Sequence, residues 1–223
     1  MRVKPTVSIL SILAAWALAV SCASVKPNDA GPPLYGMVYD MDNLPVQNAL
    51  VSIDGRDAAS TDVNGRFALS GLPFGTYEVS LRKEGYELLT TRVEYFSWTQ
   101  VLYVKMISAD QLLAKAESAI SERRWGEAQD FVDRAERVGP DAPAALYLKA
   151  VVSFRRGDAE NAKNILEGLL SKEYKEPAVY LLLADILQYR TDDPTGAAAR
   201  LRSYLNLRYD PEIEKRLMQL ATP

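Results

Sequence analysis

The chain has 223 residues, 48% of them hydrophobic and 25% charged, with a formal net charge of −3. That length suits one or two domains with a real core, and the charge balance excludes both a disordered chain and a nucleic-acid binder built on a basic stripe. Histidine is absent and Cys22 is the single cysteine, which removes the commonest general base and metal ligand, and leaves no disulfide or cysteine-rich zinc site within one chain.

Arg2 and Lys4 precede the apolar run "VSILSILAAWALAV", Val7 to Val20. Fourteen residues fall short of the ~20 that span a bilayer core, and charge followed by an apolar run is the order of a secretory signal. The run leads through small residues, "AVSC", into Cys22. This resembles a bacterial lipobox, although Ala19 stands where Leu is usual. The resemblance implies a signal peptide over 1–21 and a mature N-terminus at Cys22, lipidated on its thiol. A structural cysteine is the alternative, but a lone unmodified thiol in an exported chain is open to oxidation. Residues 22–33, rich in Pro, Gly and polar side chains, read as a flexible tether. Losing the leader removes Arg2 and Lys4 and takes the charge from −3 to −5; an acidic body needs its acyl chains to hold it on anionic lipid.

From 34 to 107 the hydrophobic period is two, with turn residues every eight to twelve positions. "LYGMVYD", "ALVSI", "RFALS", "TYEVSLR", "LLTTRVEY" and "QVLYVKM" read as strands of an antiparallel sandwich. Between two of them lies "TDVNGRF", Thr61 to Phe67. Asp62 and Asn64 suit an Asx-type turn, Gly65 suits positive φ, and Asn-Gly before alternating apolar residues is a hairpin signal. A calcium loop would need six to eight oxygen ligands, whereas Arg66, Phe67 and Ala68 supply a cation and bulk. The spacing "SLRK", Ser80 to Lys83, matches that of some hydrolases. In a strand those two side chains point to opposite faces, so the lysine cannot activate the serine.

The order Gly36, Val38, Pro45, Asn48-Ala49, Val51, then Thr61-Asp62, Asn64-Gly65-Arg66-Phe67, Leu72-Pro73, Gly75, Tyr77 and Gly85-Tyr86 resembles a carboxypeptidase regulatory-like domain. That resemblance implies a seven-stranded, prealbumin-type accessory sandwich. The peptidase chemistry of such proteins resides in a separate zinc domain with histidine ligands.

Beyond Ala109 the period becomes helical and the sequence repeats itself. Ala116, Ala150 and Ala184 are 34 apart, as are Ala128 and Ala162, and Ala197 follows after one inserted residue in "RTDDPTG". Asp158 and Asp193 are placed to cap second helices, and Pro194 suits a first turn. The pattern resembles three tetratricopeptide repeats, 109–142, 143–176 and 177–210, followed by a capping helix "EIEKRLMQLA", within a helical unit of 109–220. Three repeats are near the minimum for stability, which leaves room for the sandwich to pack on the stack. The resemblance implies an inner groove lined by the first helix of each pair: Leu113, Glu117 and Ile120; Tyr147, Val151, Phe154 and Arg155; Leu181, Asp185, Gln188 and Tyr189. The alternative is that some of these are core or lie under the capping helix.

The expected fold class is therefore α+β by segregated domains. The expected function is a non-enzymatic, lipid-anchored scaffold of the bacterial envelope, in the outer membrane facing the periplasm or the cell surface. It takes a protein or peptide partner in its groove, and no cofactor, metal or nucleic acid. The competing reading makes the sandwich a glycan- or protein-binding module, pointed to by "YFSW", Tyr95 to Trp98, with the helices as spacer. A hydrolase has no supporting constellation.

Overall fold

The structure is a computed structural model and describes residues 32–221; Cys22, the leader and most of the tether lie outside the described residues. Seven strands come first: β1 (Leu34–Tyr39), β2 (Leu50–Ile53), β3 (Arg56–Ser60), β4 (Arg66–Leu69), β5 (Gly75–Arg82), β6 (Leu89–Tyr95) and β7 (Val101–Lys105). They form two sheets, ordered β4-β1-β7 and β3-β2-β5-β6. Alternation sets the inner faces: Leu34 and Val38, Phe67 and Leu69, Val79 and Leu81, Val93 and Tyr95 are buried in one core. Each fully buried aliphatic or aromatic side chain there stabilises the fold by about 1.5–3 kcal/mol. Gly36 lets the sheet close, since a Cβ on it would lie 2.1 Å from the Phe67 ring.

All pairings are antiparallel except β1 with β7, which run parallel in register from Tyr35↔Val101 to Tyr39↔Lys105. The pairings also give the sandwich two distinct ends. Leu34, Gly75, Tyr95 and Val101 lie toward one; Tyr39, Leu81, Leu89 and Lys105 lie toward the other.

β3 is absent from the six strands read from the sequence. Its residues, Arg-Asp-Ala-Ala-Ser, are nearly all exposed, so no period-two signal marks them. Backbone pairing with β2 makes it a strand, at the sheet edge and across a register shift at Val51/Ser52. The stretch "TDVNGRF" is a turn, but not a hairpin, because it carries the chain from β3 in one sheet to β4 in the other. Asp62 Oδ1 accepts the N–H groups of Asn64 and Arg66, each at 2.8 Å. Gly65 has φ +72°, and a Cβ on it would stand 2.3 Å from the Val38 carbonyl. Anchored beside it, Thr61 is buried, donating to the Val46 carbonyl and accepting from the Ala49 N–H.

Seven helices follow: α1 (Ala109–Ser121), α2 (Trp125–Val138), α3 (Pro143–Arg155), α4 (Ala159–Ser171), α5 (Pro177–Tyr189), α6 (Pro194–Leu207) and α7 (Pro211–Ala221). They stack as three hairpins and a final helix. Ala116, Ala150, Ala184, Ala128, Ala162 and Ala197 are all 0% exposed, so the small positions of the repeat are where helices approach closely. The inserted residue falls in the loop 190–193, one longer than 122–124 and 156–158. Asp158 and Asp193 cap α4 and α6, and Pro194 opens α6. Ser108 and Gln111 form a reciprocal capping box on α1, which satisfies two otherwise orphaned N–H groups.

The sandwich packs directly on the first hairpin. Glu87 N–H donates to the Ile107 carbonyl and Ala109 N–H to Gly85, while Gln111 of α1 donates to the Asp42 carboxylate. Arg134 of α2 pairs with Glu87. The joint therefore lies at the Leu89–Lys105 end of the sandwich.

Candidate functional site

The first helices α1, α3 and α5 contact one another in that order and so form the inner layer of the stack. The 34-residue spacing places the inner positions in rungs: Leu113, Tyr147 and Leu181; Glu117, Val151 and Asp185; Ile120, Phe154 and Gln188. Arg155 and Tyr189 end α3 and α5. None of these eleven side chains is fully buried, whereas their neighbours Ala116, Ala150 and Leu183 are completely so. One helical face thus serves the core and the next remains open.

Leu113, Glu117 and Tyr147 come together around a cleft of about 260 Å³, completed by Ala144, Leu148, Tyr174, Glu176, Ala178 and Val179. Tyr174 and Glu176 precede α5 and were not among the residues read from sequence. They sit in an inter-repeat loop, where no helical period marks a side chain as inward. The Tyr147 phenol is pushed up in pKa, first by burial, then by the Asp185 and Tyr174 side chains. Tyr147 and Phe154 are half-buried and pack against the repeat core, so they are as much wall as surface. Phe154 is flanked by the Arg155 and Arg190 guanidinium groups at 5.9 and 5.5 Å from its ring centre.

The third rung differs. Arg216 of α7 reaches back to Asp185 at 2.7 Å and to Gln188 at 2.8 and 2.6 Å, and lies over the Tyr189 ring at 5.3 Å. The capping helix therefore occupies that end, and the open groove runs along α1, α3 and the start of α5.

Elsewhere, Ser80 shares a hydrogen bond with Thr90, and Lys83 donates to the Gln47 carbonyl; the serine and lysine do not meet. Among the described residues no group of three or more acidic or thiol side chains could hold a metal, and no helix is long and apolar enough to cross a membrane.

A strand sandwich joined to stacked helical hairpins, with one open helical face, defines a repeat protein carrying an accessory β-domain. Residues 33–100 match the family model of the carboxypeptidase regulatory-like domain, and residues 119–186 match that of the tetratricopeptide repeat. No curated protein matches it. Among solved structures it is similar to the first TPR of Spaghetti (RPAP3) bound to an HSP90 peptide, at 16% identity over 51% of this chain and 90% of that one, TM-score 0.46. It is similar to the Arabidopsis OM64 TPR domain, at 18% identity over 50% and 94%, TM-score 0.43. It is likewise similar to the Yersinia enterocolitica type III secretion chaperone SycD in complex with a YopD peptide, at 14% identity over 50% and 87%, TM-score 0.44.

Proposed function

We propose that this protein is a non-enzymatic scaffold, held on a bacterial envelope membrane through an acylated Cys22, that captures a protein or peptide partner along α1, α3 and the start of α5. The observation that carries the partner reading is the cleft shared by Leu113, Glu117, Tyr147 and Tyr174. Its apolar and aromatic lining, edged by two carboxylates, supports docking of an extended or helical segment with apolar side chains. Concave faces of this kind are the working surfaces of helical repeat stacks. The anchoring reading is supported by the leader and the small residues before Cys22, together with an acidic body that would not adhere to anionic lipid by charge.

Photocrosslinkers placed at Glu117 on the groove and at Asn164 on α4 test the scaffold in the native envelope. A discrete adduct from position 117 and none from 164 is expected; equal patterns would refute the groove. Labelling with a fatty-acid analogue tests the anchor. Wild type should carry the label and Cys22→Ser should not; an unlabelled wild type still in the membrane fraction overturns the lipoprotein reading.

A further inference from the structure

We infer that the end of the sandwich opposite the helices is a membrane-contacting surface, with Phe74, Phe96 and Trp98 seated in the lipid interface. Their exposures are 47%, 73% and 43%, high for three large aromatics on adjacent loops. The patch is built rather than loose. Trp98 packs on Phe74 with ring centres 4.1 Å apart, and both meet the buried Tyr95, at 6.0 and 5.2 Å. Tyr95 already fills the core there, so the outer rings cover a surface that closes without them.

Position in the chain names the occupant. Tyr95 Oη donates to the Pro32 carbonyl at 3.2 Å, so the polypeptide leaving toward Cys22 departs beside the patch. Cys22 and Pro32 are ten positions apart, a contour of at most about 36 Å. This inference rests on the anchoring reading: an acylated Cys22 would hold this end of the sandwich, and not the helices, near the bilayer. Such a tether turns a weak surface affinity into an effectively intramolecular one. The chemistry agrees. The loop Phe96–Gln100 carries no charge, and aromatic rings concentrate at the headgroup level, where one edge is apolar and the other wet.

A carbohydrate platform would need free polar groups beside the rings. Here part of that hydrogen-bonding capacity is already used within the loop. Gln100 accepts from the Phe96 N–H and donates to the Glu94 carbonyl, while the Ser97 and Thr99 hydroxyls bond each other.

The full chain, purified in detergent, is reconstituted into vesicles of phosphatidylethanolamine and phosphatidylglycerol doped with diazirine phosphatidylcholine. Lipid adducts are mapped by mass spectrometry, and the same digest reports the acyl mass on Cys22. Adducts should concentrate on Phe74, Phe96 and Trp98 and be scarce at Lys83–Tyr86 near the helices. Phe96→Ser with Trp98→Ser should lose the Phe74 adduct with Cys22 acylation unchanged. Phe96→Ser alone, the most exposed ring, should weaken it without touching the fold. Acylated Cys22 with no enrichment at the patch overturns the inference and leaves the anchor standing. Enrichment without acylation supports the surface and sinks the anchor. Absence of both refutes both. Retention on insoluble peptidoglycan that the double variant abolishes, with no lipid adducts, reassigns the patch to carbohydrate.

Discussion

Arg134 of α2 grips Glu87 of the sandwich through two parallel hydrogen bonds, Nε to Oε1 at 3.0 Å and Nη2 to Oε2 at 2.7 Å. The fork geometry ties two folded units whose sequence positions lie 47 apart, across a short covalent link at Ile107 and Ser108.

That pair predicts an acid-sensitive joint. The hydrogen bonds from Arg134 hold the Glu87 carboxyl below the usual range; burial opposes them, and the Arg134 and Arg137 charges add to them. A carboxyl depressed in the folded state contributes stability that is present above its unfolded pKa, ~4.3, and lost as pH falls through the folded value. Arg134→Ala should cost about 1 kcal/mol at neutral pH, since the pair is only partly buried. It should also flatten the loss of melting temperature below about pH 4. Thermal melts of both proteins from neutral to acid pH check this; parallel curves would mean that Glu87 does not set the acid limb.

Gly65→Val places a branched side chain at φ +72° and 2.3 Å from the Val38 carbonyl, and should destabilise the sandwich by about 1–3 kcal/mol or more in urea unfolding. Asp62→Ala removes the acceptor for two backbone N–H groups and should cost about 1–2 kcal/mol. Neither should change the response to calcium, which is expected to leave the melting temperature of the wild type unmoved. A ligand that binds only the folded state must raise it.

In the groove, Ala150→Leu overfills a position with no exposed surface and should cost about 1–3 kcal/mol. Tyr147→Ala with Phe154→Ala should also cost stability, about 1–2 kcal/mol each, because both rings are half-buried against the repeat core. Glu117→Lys is the cleaner probe. Exposed on α1, it should change stability by less than about 0.5 kcal/mol and still abolish partner crosslinking from a photocrosslinker at Ala144, an exposed residue of the same cleft. Unaltered crosslinking by Glu117→Lys, with the fold intact, would remove the cleft as the working surface.

Arg216→Ala should free the last helix. It strips the partner from Asp185 and from Gln188, for a loss of about 1–3 kcal/mol. Hydrogen exchange should quicken across α7 while α1 to α4 keep their protection. Uniform quickening along the stack would show instead that the repeats unfold as one unit with their cap.

Much of this architecture was legible because it is written in periodicity. The six small alanines of the repeat, the capping aspartates and the alternating strand residues each leave a mark at a fixed spacing, and each ended where that spacing put it. What could not be read was made by partners distant in sequence. β3 is a strand through its backbone ladder, with no apolar alternation to advertise it. Tyr174 and Glu176 line the cleft from a loop, outside any period. Arg216 belongs to a helix with no equivalent in the repeat, so its hold on Asp185, Gln188 and Tyr189 followed from no spacing rule. The Asn-Gly pair of "TDVNGRF" marked a turn correctly, but local sequence does not say which sheet receives the next strand.

The parallel pairing of β1 with β7 has a mechanical meaning. The chain arrives at β1 from one end of the sandwich and leaves β7 at the other, and these two strands lie side by side. A pull on the helices against a fixed N-terminus would drag β1 and β7 past each other along their length. Every hydrogen bond between them would then be loaded at once in shear, instead of being peeled one at a time. A domain wired this way can carry tension between its two ends without opening at its first bond.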